Sequence, residues 1–126
     1  MSSEVNYLVL SETGLANARR LQAKLGGVIH GFAKNIQADD VTPFGDVRAT
    51  LQDLFASGNS LVAFCAAGIV IRHLGSVLGD KYSDAPVLAV AEDGSAVVPL
   101  LGGHHGGNDL ARAIGDIFFS PATTTT

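Results

Sequence analysis

Residues 5–10 are apolar at every position but Asn6, which predicts a buried strand. Ser11-Glu12-Thr13-Gly14 then supplies a turn with capping oxygens, and Leu15, Ala18, Leu21 and Leu25 recur at the spacing of one helical face. Gly26-Gly27 ends that helix. Residues 28–30 read as a short second strand, and the polar stretch through Asp39-Asp40 and Pro43 has no period and reads as a loop. Asp46 can cap a helix whose inward face is Val47, Leu51, Leu54 and Phe55, with Gly58 suited to the left-handed position at its end. A third strand follows at 61–65. From Ala66 the period changes, and Ala67, Val70, Ile71, Leu74, Val77 and Leu78 fall on one helical face until Gly79-Asp80 breaks it. Residues 87–91 and 96–100 are strand-like, and the Asp93-Gly94 pair between them favours a tight antiparallel hairpin. Pro99 lacks an N–H for the ladder, so the second arm is expected at a sheet edge. Leu110, Ala113, Ile114, Ile117 and Phe118 form a last amphipathic stripe, and Thr123-Thr124-Thr125-Thr126 reads either as a final strand or as a frayed linker.

Strands that alternate with helices and are apolar on both faces predict a three-layer α/β/α sandwich with a mainly parallel, Rossmann-like sheet and a β-hairpin towards the C-terminal half. At 126 residues the chain has room for one domain, expected over 1–126, and such a domain buries roughly two-thirds of its unfolded surface without staples. The single cysteine, Cys65, excludes an intramolecular disulfide and a zinc set. With 47% hydrophobic and 16% charged residues the composition is that of a folded chain. A net charge of −4, with eight scattered basic residues, lacks the basic stripe that displaces counterions from nucleic acid. The N-terminus has no basic region followed by a cleavable apolar core, and the longest apolar run, 61–71, is too short to cross a bilayer, so no membrane role and a cytoplasmic location are expected.

In a parallel sheet, ligands collect at the carboxyl ends of the strands, where loops meet helix N-termini. Three segments are expected there: residues 11–14, residues 66–69, and Gly102-Gly103-His104-His105-Gly106-Gly107-Asn108-Asp109. Four glycines in six residues suit a backbone that turns tightly or approaches a ligand, and the N–H groups of such a helix start can hold a carboxylate or phosphate. A plain glycine hinge with Asn108 or Asp109 as helix cap explains the segment equally well. No Gly-Lys-Ser/Thr follows and the Gly-x-Gly-x-x-Gly order is missing, which argues against ATP and NAD. Adjacent His104 and His105 diverge in direction and make a poor metal pair, although either imidazole can act as a general acid or base. Arg72 can reach a carboxylate over the strand ends or lie solvated. His30 and His73 read as structural, and Cys65 as inert core.

Residues 66–72 (Ala66-Ala67-Gly68-Ile69-Val70-Ile71-Arg72), then Asp80-Lys81 with Asp84, then 100–111 around the double histidine, together resemble the N-terminal domain of the cobalt-precorrin-5A hydrolase family of cobalamin biosynthesis, including copies linked to precorrin-3B C17-methyltransferase. Gly14 and Pro121-Ala122-Thr123-Thr124 fit the same pattern. The resemblance implies a domain of a longer multidomain enzyme that opens the ring-A acetate δ-lactone of a cobalt corrinoid and releases the two-carbon C20 fragment as acetaldehyde. Downstream hydrolase domains or a precorrin methyltransferase are the partners it implies. Cobalt belongs to the substrate, and no cofactor or protein-held metal is implied. His104 is then the expected general base and Asn108 the group orienting substrate. Ser11, Thr13, Gly14, Gly68, Arg72, Lys81, Gly102, Gly103, His105, Gly106 and Gly107 are the expected substrate contacts. The double histidine departs from the Ser-Gly-His form of the hydrolase and leans towards the methyltransferase-linked branch. Three readings stand at this point: a hydrolase module, a corrinoid-binding or scaffolding domain without chemistry of its own, and an unrelated anion-binding α/β domain.

Overall fold

A computed structural model describes residues 4–77, 85–102 and 106–119. Six strands form one sheet: β1 (Val5–Val9), β2 (Val28–Phe32), β3 (Thr42–Phe44), β4 (Ser60–Phe64), β5 (Val87–Val90) and β6 (Val97–Leu101). Their order is β3-β2-β1-β4-β5-β6, and the first five run parallel while β6 is antiparallel to β5. Helices α1 (Glu12–Leu25) and α4 (Gly107–Phe119) cover one face, and α2 (Val47–Ala56) and α3 (Ala67–Leu74) cover the other. No described helix is long and apolar enough to cross a membrane.

The central strands are buried on both faces because each supplies side chains to two cores. Tyr7, Val9, Val62, Phe64, Leu88 and Val90 pack with Leu15, Ala18, Leu21 and Ile114. Leu8, Leu61, Ala63 and Ala89 pack with Leu51, Phe55, Val70 and Leu74. Period-2 alternation within an apolar run therefore feeds the α1/α4 layer and the α2/α3 layer in turn. The expected three-layer sandwich is the observed fold.

Local chemistry fixes the helix ends. Ser11 Oγ accepts from the Gly14 N–H at 3.1 Å and caps α1, and Asp46 Oδ1 accepts from the Ala49 N–H at 2.9 Å and caps α2. Gly58 takes the left-handed conformation, φ +81°, just beyond α2.

Three expectations change. The stretch read as loop contains β3, whose Thr42, Pro43 and Phe44 lie beside His30, Gly31 and Phe32, and β2 itself extends to Phe32. A proline is tolerated there because β3 is an edge strand. Ile71 is 54% exposed: α3 buries Val70 and Leu74, and one residue further round the helix lies outside that narrow stripe. After Leu74 the chain tightens into a 3-10 turn, Gly75–Val77, while Leu78 lies outside the described residues. The hairpin forms as expected, with residues 92–95 between its arms, closed by Ala91 N–H to Ala96 O at 2.9 Å and Gly94 N–H to Ala91 O at 2.8 Å. Pro99 is on the opposite edge strand, β6, as expected, next to an irregular register between Val87 and Leu88.

The sheet order places a switch point between β1 and β4. From β1 the chain leaves over the α1 face towards β2; from β4 it leaves over the α3 face towards β5. Connections that diverge to opposite faces leave a crevice outside the carboxyl ends of those two strands.

Candidate functional site at the carboxyl end of the sheet

A cleft of about 430 Å³ occupies this crevice and extends towards the hairpin. Leu10 at the end of β1, residues 65–67 with Ile69 where β4 passes into α3, residues 89–92 at the end of β5, and Ala96 with Val98 across the hairpin line it. The small side chains at 66, 67, 89, 91 and 96 keep the cleft open: each ends at Cβ, so the strand ends and the start of α3 stay apart. That volume lies in the range of roughly 300–1,000 Å³ typical of ligand pockets.

Glu92 and Cys65 supply the polar chemistry. Ser11 Oγ donates to Glu92 Oε2 at 2.6 Å while accepting from the Gly14 N–H, so one hydroxyl joins the α1 cap to the hairpin. Asn17 Nδ2 donates to the Glu92 backbone oxygen at 2.8 Å, which fixes the turn against α1 from a second point. Gly14 is buried beneath this contact; a Cβ there would stand 3.4 Å from Phe64 Cβ and 3.7 Å from Glu92 Oε2. A carboxylate next to the first turn of α1 is favoured by the helix dipole. Burial, with the nearby Glu92 charge adding to it, pushes the Cys65 thiol up to about 11, so Cys65 is a neutral wall of the cleft at neutral pH and reads as inert core.

The expected site residues fall into two groups. Ser11 and Gly14 stand beside the cleft, but their helix-start position is occupied by the protein's own Glu92 carboxylate, not open for a substrate acid. Thr13 is exposed on the outer side of the same turn, where its backbone oxygen accepts from Asn17 Nδ2 at 3.4 Å. Gly68 and Arg72 are exposed on α3 and do not line the cleft, whereas their neighbours Ala66, Ala67 and Ile69 do.

The glycine-rich segment is the larger correction. β6 is antiparallel, and Leu101 pairs with Val87 at the start of β5 while Val97 pairs with Val90 at its end. Gly102 therefore stands at the amino end of the parallel strands. Gly106 is there too: a Cβ on it would lie 3.9 Å from Pro86 Cγ, just before β5. A four-residue strand spans about 13 Å, and that length separates this end from the cleft. Gly107 closes against Gly102, its N–H donating to Gly102 O at 3.0 Å, and a Cβ at 107 would be only 2.8 Å from that oxygen. Here the glycines serve a close backbone approach that any side chain would block. α4 starts at Gly107, so Asn108 and Asp109 lie within its first turn, not at its cap, and both are exposed. Lys81, Gly103, His104 and His105 lie outside the described residues.

Glu92 was absent from the expected site. The signal for it lay in plain view: it directly follows an apolar strand, the same position relative to β5 that Ser11 and Ala66 hold relative to β1 and β4. Its place in the hairpin turn disguised it as ordinary turn chemistry.

A family model described as cobalamin synthesis G N-terminal matches residues 49–126. The chain is 33% identical over 119 residues to a cobalt-precorrin-5A hydrolase of Salmonella typhimurium, covering 93% of this chain and 34% of that protein. It is 37% identical over 71 residues to a cobalt-precorrin-5A hydrolase of Priestia megaterium, covering 56% of this chain and 19% of that protein. Its fold matches a solved structure described as a cobalamin biosynthesis protein G homologue from Sulfolobus solfataricus with a TM-score of 0.62 at 18% identity, over 93% of this chain and 35% of that one. The chain thus spans about a third of the length of the first of these relatives.

Proposed function

Because the chain belongs to the cobalamin synthesis G N-terminal family, we propose that it is the part of a cobalt-precorrin-5A hydrolase that receives the lactone-bearing edge of the corrinoid. The switch-point cleft is the observation that carries this reading. It is apolar, opens at the carboxyl ends of β1, β4 and β5, and is large enough for one edge of a tetrapyrrole. The reaction is addition of water to the ring-A δ-lactone followed by release of the C20 fragment as acetaldehyde, in the cytoplasm. Apolar walls suit a neutral ester, and they exclude competing water once the edge is seated. Within this reading the domain works beside further domains of a longer enzyme, which cover the part of the macrocycle that projects from the cleft; the third of the relatives' length that it spans supports that arrangement. His104, and Asn108 in the first turn of α4, are proposed for contacts with another part of the substrate.

Anaerobic incubation of the chain with cobalt-precorrin-5A tests the reading, with acetaldehyde and product mass as readouts. Acetaldehyde release with the mass of the ring-opened product is the expected result. A shift of the corrinoid's visible bands without acetaldehyde would make the domain a binding module that presents the intermediate to a partner such as a precorrin methyltransferase. Neither signal would refute both forms of the reading.

A further inference from the structure

Of the eleven described residues lining the cleft, only Glu92 and Cys65 can ionise, and Cys65 keeps its proton at neutral pH. A single negative charge therefore sits in a wall that is otherwise alanine, valine, leucine and isoleucine. Glu92 is half-buried, and its repulsion of a like charge grows as a seated ligand edge displaces the solvent that screens them. The corrinoid carries many free acetate and propionate carboxylates, each of which would meet Glu92 unfavourably. The lactone is the one acid group whose charge is masked as an ester. Glu92 also carries the one carboxylate among the described lining residues, the kind of group that serves as a general base, and it is held in place through Ser11 Oγ on one oxygen and, at its backbone, through Asn17.

We infer that Glu92 is the general base of this cleft, and that its charge selects the uncharged lactone edge of the corrinoid over the free carboxylate edges. The inference rests on the hydrolase reading above. In the step assigned to it, Glu92 takes a proton from a water molecule as the water oxygen bonds to the lactone carbonyl carbon. The tetrahedral adduct collapses with rupture of the acyl C–O bond, and the departing oxygen takes the proton back from Glu92. The new carboxylic acid loses its proton to solvent. Its carboxylate then faces Glu92, and the same repulsion that excluded free acids at the start drives the opened edge out of the cleft. Ser11 is the positioning residue: its hydroxyl holds Oε2 and leaves Oε1 to the water.

The test compares the chain with Glu92→Gln, Glu92→Asp and His104→Ala variants on cobalt-precorrin-5A, following acetaldehyde for kcat and KM, the corrinoid's visible bands for Kd, and thermal melts for folding. Glutamine keeps the shape and a hydrogen-bond acceptor for Ser11 but neither base nor charge. Glu92→Gln is expected to lower kcat about 100-fold or more with KM almost unmoved. It is also expected to bind the ring-opened product more tightly than the unaltered chain does, a change that a merely structural role would not produce. Glu92→Asp, which restores the carboxylate, is expected to recover part of kcat. A Glu92→Gln variant that folds and turns over within about threefold of the unaltered chain would overturn the assignment while leaving the hydrolase reading intact. So would activity lost in His104→Ala and kept in Glu92→Gln. Absence of acetaldehyde from the unaltered chain would instead overturn the hydrolase reading, and the role of Glu92 as base with it.

Discussion

Replacing Ser11 with alanine removes two hydrogen bonds made by one oxygen, and the double role makes the cost separable. The first bond caps α1 through the Gly14 N–H at 3.1 Å, and loss of such a cap costs about 1 kcal/mol. The second is donated to the Glu92 carboxylate at 2.6 Å; bonds to charged groups contribute about 1.5–3 kcal/mol, and the lower figure applies because Glu92 is only half-buried. Ser11→Ala should therefore cost about 2.5 kcal/mol. For a domain of this length that corresponds to a fall in Tm of roughly 10 °C. In a Glu92→Ala background the second bond is already gone, so the same substitution should cost only about 1 kcal/mol, or roughly 4 °C. The coupling of about 1.5 kcal/mol is read from urea or thermal unfolding of the wild-type, the two single variants and the double variant. If Ser11→Ala costs the same in both backgrounds to within about 0.5 kcal/mol, the hydroxyl does not join α1 to the hairpin, and the positioning of Glu92 fails with it.

Gly27 combines φ +104° with a Cβ position 2.2 Å from Val5 O, so Gly27→Ala should cost more than about 2 kcal/mol; Gly58→Ala, with φ +81° and open space around it, should cost about 1 kcal/mol, and equal unfolding midpoints would refute the packing argument. Burial pushes Tyr7 up to about 12 from 10.0, so its neutral form favours the folded state. That contribution is complete below pH 10 and is lost as pH rises through about 12, a loss on the order of 2–3 kcal/mol that Tyr7→Phe should abolish despite deleting the 2.7 Å bond to Gly26 O. Burial lowers the pKa of His30, against a smaller raising effect of Glu4, and the ring shares a 3.0 Å hydrogen bond with Asn6 Oδ1. Its contribution is therefore present above its ordinary 6.5 and lost as pH falls through the folded value; His30→Gln should flatten that acid limb of the stability profile, and an unchanged limb would place the loss elsewhere.

Elements built on a long repeating pattern could be read directly from the chain. α1, α2 and α4 each carry several turns of apolar spacing, and Ser11 and Asp46 mark two of their starts in side-chain chemistry that acts within three residues. β3 could not be read this way. Thr42-Pro43-Phe44 has neither length nor alternation and is a strand only because β2 lies beside it, which is a tertiary fact. Ile71 shows the same limit: its spacing matches the inward stripe, but how wide a stripe is covered depends on what α3 packs against.

The candidate site turns on strand direction more than on motif. A helix start attracts anions by its own chemistry wherever it occurs, but which end of the sheet it faces is set by the strand that delivers the chain to it. Ser11 and Ala66 follow parallel strands and open at the switch point. Gly102 follows β6, and that one antiparallel strand returns the chain to the level of Val87 before α4 begins. The most conspicuous motif, rich in glycine and histidine, is thereby delivered at flanks that lie a full strand length from the cleft, while an ordinary-looking turn residue is carried into it. The same hairpin does both, since its turn must lie at the carboxyl end if its second arm leads to the amino end. Glu92 and the glycine-rich flanks therefore cannot touch one small chemical group together, and a ligand that engages both must be long enough to reach around the sheet edge past β6.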